Sequence, residues 1–105
     1  MVVMVVEDSP TMRALICHAL KRIENVVLVE AGDGVEALAK LAEIRPDIIL
    51  TDLNMPNMDG FALIRELRGR PGFAKLPVIV LTTAGAMEDQ ARAKDLDACK
   101  TRFFA

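Results

Sequence analysis

The chain has 105 residues, 52% of them hydrophobic, which suits one domain with a real core. Thirteen basic against fifteen acidic side chains leave a net charge of -2, too small to point to nucleic acid or an acidic tail. No apolar run approaches the ~18 residues that span a bilayer, and the opening "MVVMVVEDSP" is short and ends in two acids, unlike a signal peptide.

Val2–Val6 is a short continuous apolar run, as expected of a strand covered on both faces. Ser9 and Pro10 read as a helix cap and a first-turn proline. Met12, Leu15, Ile16, Ala19, Leu20 and Ile23 then recur at helical spacing. Cys17 and Cys99 form no metal or redox motif and are read as buried free thiols of a cytosolic protein. His18 lies off the apolar stripe and reads as a surface residue. Val26–Val29 is a second strand. Asp33 is placed to cap a helix with the stripe Val35, Leu38, Leu41 and Ala42, stopped by Pro46. Ile48–Leu50 is a third strand, ending toward Asp52. Asp59 caps a third helix carrying Phe61, Ile64 and Leu67, closed by Gly69, Pro71 and Gly72. Arg65, Arg68, Arg70 and Lys75 near its end read as a solvated basic face. Pro77–Leu81 is a fourth strand, a weaker helix spans about Met87–Ala98, and Arg102–Ala105 begins a fifth strand.

Strands alternating with helices over short links imply right-handed crossovers and a parallel sheet with helices on both faces. The fold expected is α/β, flavodoxin-like and doubly wound, with strand order 2-1-3-4-5 and a single domain over residues 1–105. That order puts a switch point between strands one and three, where such sheets bind ligands. Glu7, Asp8 and Asp52 would meet there. Three crowded carboxylates repel one another, and a magnesium ion, which prefers hard oxygen ligands, would relieve them.

In "VVEDSPTMR", "DIILTDLNMPNMDG" and "LPVIVLTTAG" the sequence resembles the receiver domains of two-component response regulators, over nearly the whole chain to about Ala98. The resemblance implies a cytoplasmic phosphoacceptor switch rather than an enzyme. Asp52 would take a phosphoryl group from a sensor histidine kinase or phosphotransfer protein and control an unidentified output protein. Glu7 and Asp8 match the family's magnesium-holding acids, Asn54 would offer its main-chain carbonyl, and Thr82 matches the hydroxyl that contacts the phosphoryl group. Neither nucleic acid nor membrane is implied as a partner.

The family's strand-five lysine is not found before Ala105, and Lys100 comes too early to replace it. The last helix is absent from this chain, so a C-terminally incomplete domain is expected. Homodimerisation through the face thus exposed is a further expectation. Phe103 or Phe104 is either a switch aromatic or a core residue. Three other readings compete. A flavin-binding electron carrier of the same topology would want a hydroxyl- and glycine-rich phosphate loop where "EDSPTM" puts two anions. An aspartyl-phosphate phosphatase would want a second aspartate where Asn54 stands. A docking module of the same fold would work without phosphorylation.

Overall fold

The computed structural model describes residues 1–53 and 55–81 and the strand Thr101–Phe104. The elements in chain order are β1 (Val2–Val6), α1 (Pro10–Leu20), β2 (Val27–Ala31), α2 (Gly34–Leu41), β3 (Ile48–Asp52), α3 (Gly60–Arg68), β4 (Val78–Leu81) and β5 (Thr101–Phe104). All pair in parallel in one sheet of order β2-β1-β3-β4-β5, the order expected from the sequence. The expected helix near Met87–Ala98 lies outside the described residues. No helix among the described residues is long and apolar enough to cross a membrane.

β1 explains its own uniform sequence. Successive side chains leave a strand on opposite faces. Val3 and Val5 meet Cys17, Ile16 and Leu20 of α1 on one side. Met4 and Val6 join Ala37 and Leu41 of α2 and Phe61, Leu63, Ile64 and Leu67 of α3 on the other. Both faces are dry, so no polar residue fits between Val3 and Val6. Each fully buried aliphatic side chain here contributes roughly 1.5–3 kcal/mol through burial.

Each helix starts where a short polar side chain accepts a backbone N–H. Ser9 accepts from Met12, Asp33 from Glu36 and Asp59 from Ala62. α3 buries the expected Phe61, Ile64 and Leu67. The other two stripes differ from expectation. On α1 the inward line is Arg13, Ile16, Cys17 and Leu20, while Met12 and Leu15 are 48% and 60% exposed. Arg13 is drawn inward by a hydrogen bond from Nη1 to the Glu7 carbonyl, 2.7 Å, and positions four and seven residues on follow it to the same face. On α2 the buried line is Gly34, Ala37 and Leu41, with Val35 and Ala42 outside. That helix also ends at Leu41, before Pro46 is reached.

β2 lies one residue or more beyond its expected place and runs on to Ala31. Glu30 is tolerated inside it because β2 is an edge strand and the side chain is exposed. β3 extends past Leu50 through Thr51 and Asp52, which pairs with Leu81. Thr51 is fully buried, and its hydroxyl donates to the Asp52 carbonyl at 3.0 Å. Arg68 is not simply a solvated charge. Its guanidinium donates to the carbonyls of Leu76 at 2.8 Å and Phe73 at 3.4 Å, fastening the connection between α3 and β4.

Candidate functional site

β1 and β3 are neighbours, and Val6 stands opposite Thr51. The residues that follow, Glu7 and Asp52, therefore emerge side by side at the C-terminal edge of the sheet. Carboxylate oxygens of Glu7, Asp8 and Asp52 all lie within 4.8 Å of one another. Glu7 is only 5% exposed, Asp52 is half-buried and Asp8 is open to solvent.

Glu7 carries the strain of this crowding. Burial pushes its carboxyl up to about 7, and the charges of Asp52 and Asp8 push the same way, against a lowering hydrogen bond from the Ser9 backbone. That bond, Ser9 N–H to Oε1 at 3.1 Å, points the side chain. The Glu7 N–H donates to the Ala31 carbonyl at 3.0 Å. Asp52 is oriented by the Leu53 N–H, which donates to Oδ1 at 2.8 Å.

The loop after Asp52 folds tightly back on it. Gly60 N–H donates to the Leu53 carbonyl at 2.9 Å. A Cβ at position 60 would sit 2.5 Å from the Asp52 carbonyl oxygen, so only glycine allows this approach. Asn57 takes a left-handed conformation, φ 66°, and Met58 N–H reaches back to the Pro56 carbonyl at 2.6 Å, a three-residue turn. The Asn57 amide donates to Asp33 Oδ2 at 2.7 Å, and Gly34 N–H donates to the Met58 carbonyl at 3.4 Å. The loop is thus tied to the start of α2.

Of the residues singled out in the sequence, Glu7, Asp8 and Asp52 come together. Asn54 and Thr82 lie outside the described residues, as do Cys99 and Lys100. Leu81, which precedes Thr82 in the chain, pairs with Asp52. Cys17 is a buried free thiol and His18 is exposed, both as expected. Arg13 and Asn57 escape sequence reading, because no spacing announces a side chain that reaches a main-chain carbonyl or a distant cap.

The donor set is all oxygen, anionic and compact, which suits a hard divalent cation that keeps some of its waters. A half-buried carboxylate beside such a cation can also act as a nucleophile.

The family model described as response regulator receiver domain matches residues 3–101. The chain is 41% identical over 86 residues to the chemotaxis protein CheY1 of Helicobacter pylori, covering 81% of this chain and 69% of that protein. It is 42% identical over 96 residues to a gliding motility regulatory protein of Myxococcus xanthus, covering 91% of this chain but spanning only 12% of that longer protein. Among solved structures, it superimposes with a TM-score of 0.83 on the receiver domain of a sensor histidine kinase from Pseudomonas aeruginosa. The two are 26% identical over 99% of this chain and 83% of that one. That domain has a magnesium ion coordinated in its active site cleft.

Proposed function

This chain belongs to the response regulator receiver domain family, and from that premise we propose that it is a magnesium-dependent phosphoacceptor switch with Asp52 as the acceptor. The observation that carries the reading is the meeting of Glu7, Asp8 and Asp52 within 4.8 Å at the ends of β1 and β3. Glu7, Asp8, Asp52 and the Asn54 main-chain carbonyl are the groups that would hold the ion. The magnesium in the Pseudomonas receiver domain supports that assignment. When bound, magnesium offsets the negative charge of the phosphoryl oxygens.

The donor is a phosphohistidine of a sensor kinase or phosphotransfer protein. A carboxylate oxygen of Asp52 bonds to phosphorus as the phosphorus–nitrogen bond breaks, and the imidazole leaves with the electron pair and takes up a proton. The Leu53 N–H holds Asp52 Oδ1 in place during attack. The Thr82 hydroxyl donates to the phosphoryl group once it arrives. The added charge, about -1.5 to -2, shifts the domain between two states and so changes its grip on an output protein. The protein assists its own phosphorylation and dephosphorylation, in the cytoplasm, and has no separate substrate.

Intact-mass measurement after incubation with magnesium and a small acyl phosphate tests this. The parent should gain one phosphoryl group that hydroxylamine removes, and Asp52→Asn should gain none. Equal incorporation in both overturns the assignment of Asp52.

A further inference from the structure

We propose that Arg13 is a positioning residue for the acid pair. Its guanidinium, braced by Glu30, fixes the peptide between Glu7 and Asp8 so that both carboxylates address one cation. This rests on the magnesium reading above and adds to it a residue from outside the acid cluster.

Glu7 and Asp8 lie just past the last ladder residue of β1, where sheet pairing no longer sets the backbone. Three contacts from three places replace it. The Ala31 carbonyl of β2 receives the Glu7 N–H, and the Ser9 N–H holds the Glu7 carboxylate. Arg13 Nη1 donates to the Glu7 carbonyl at 2.7 Å. That carbonyl belongs to the peptide that leads directly into Asp8. If the peptide rotates, the Asp8 carboxylate swings with it. Asp8 is exposed, so packing does not hold it. Arg13 therefore adds a hold on the main chain to the direct contact between the Glu7 and Asp8 side chains.

The choice of arginine fits. Nε donates to Glu30 Oε1 at 3.2 Å while Nη1 holds the Glu7 carbonyl, so one planar group spans the ends of β1 and β2. A lysine offers a single point charge and cannot serve both partners in fixed geometry. As a mere ion pair at the surface, Arg13–Glu30 would contribute little to stability. Its effect would then appear in melting and nowhere else.

Magnesium affinity and metal-free melting together separate the two roles. The chain is titrated with magnesium chloride by backbone NMR, as parent, Arg13→Ala, Arg13→Lys, Glu30→Gln and Asp8→Ala. Removing a group that orients a metal ligand lowers affinity by about tenfold or more. Arg13→Ala should weaken magnesium to that degree with a small loss of melting temperature. Arg13→Lys should fall between it and the parent, and Glu30→Gln should move affinity less, in the same direction. The double variant Arg13→Ala/Glu30→Gln should be no weaker than Arg13→Ala alone, because the two act as one unit. If Arg13→Ala does not fold, Arg13→Lys and Glu30→Gln decide the matter by the same readout. Unchanged magnesium affinity in the arginine and glutamate variants, with Asp8→Ala impaired, overturns the positioning role and leaves the metal site standing. A parent that does not bind magnesium, or an Asp8→Ala that binds as well as the parent, removes the metal reading and this proposal with it.

Discussion

At the start of α2, Asp33 accepts the Glu36 N–H at 2.8 Å on one oxygen and the Asn57 amide at 2.7 Å on the other. These donors, the backbone one first, hold its carboxyl below the usual range. On the same edge of the sheet, Glu7 has one backbone donor and two acidic neighbours, and burial pushes its carboxyl up to about 7. The first carboxylate has been given donors and completes the fold. The second has been deprived of them and packed against its own kind. Where a fold crowds a buried carboxylate with other acids at the mouth of a sheet, a cation brought from outside would relieve it.

The largest break in this comparison comes from removing an acid. Asp8→Ala should abolish magnesium-induced shifts in NMR titration, whereas Asp33→Ala should leave them while lowering the melting temperature. Equal loss in both would mean that the two regions do not differ in kind.

Next come the two glycines that bring backbone close to each region. A Cβ at position 60 meets the Asp52 carbonyl oxygen at 2.5 Å, and one at position 34 meets the Met58 side chain at 2.7 Å. Backbone cannot step aside, and at position 34 a rotamer change moves Met58 Cγ and Sδ but not Cβ, which lies 2.9 Å from the added carbon. Gly60→Ala should therefore destabilise by about 1–3 kcal/mol through overpacking, which thermal melts would read as several degrees. Gly34→Ala should destabilise too, with the loss read in the loop around Met58 rather than at Asp52.

The effect of pH on metal-free stability follows. The folded protein binds the Glu7 proton more tightly than the unfolded chain does. Glu7 thus favours folding fully below its ordinary 4.5, and that benefit is lost as pH rises through about 7. Asp33 and Glu36 work the other way, since their carboxyls are held low. Their contribution is present above the ordinary carboxylate range and fades as pH falls through it. Melting temperature without metal should fall between pH 4.5 and 7. Magnesium should flatten that slope, and Glu7→Gln should remove most of it. A slope untouched by Glu7→Gln would locate the titration elsewhere.

The smallest expected effect is at the latch between the regions. Asn57→Gly keeps the left-handed turn and loses the bond to Asp33. Melting should hardly move, but amide exchange in the loop after Asp52 should quicken. Unchanged exchange would show that the Gly34–Met58 backbone bond alone holds the loop.

Much of this was legible beforehand. The continuous apolar run of β1, the three caps Ser9, Asp33 and Asp59, and the acids at two strand ends are local signals, each with a direct physical cause. The stripe of α1 differs from expectation because periodicity counts apolar residues and cannot see that Arg13 has an inward partner. The apolar run of β2 stops at Val29, while the strand itself runs on through Glu30 to Ala31, because an edge strand accepts a charge. In sequence Arg68 is one cation of a basic patch, and only the path of the connection to β4 brings carbonyls to it. For Arg13 and Arg68 the deciding partner is a backbone carbonyl, and for β2 it is the place of the strand in the sheet; both depend on the fold rather than on spacing along the chain.

The Lys40 side chain has a consequence for how copies of this protein meet. The Ala31 carbonyl turns inward to the Glu7 N–H, so alternation along β2 turns the Glu30 carbonyl out toward the open edge of the sheet. The Lys40 ammonium donates to that carbonyl and is itself steadied by Glu36 at 3.3 Å. An outward carbonyl on an edge strand invites the backbone of another molecule, and natural sheets guard such edges with charge, often lysine. Lys40 occupies one of the acceptors that an incoming strand would use and sets a cation in its path. The same helix that covers one face of the core therefore also opposes the addition of a strand at the β2 edge.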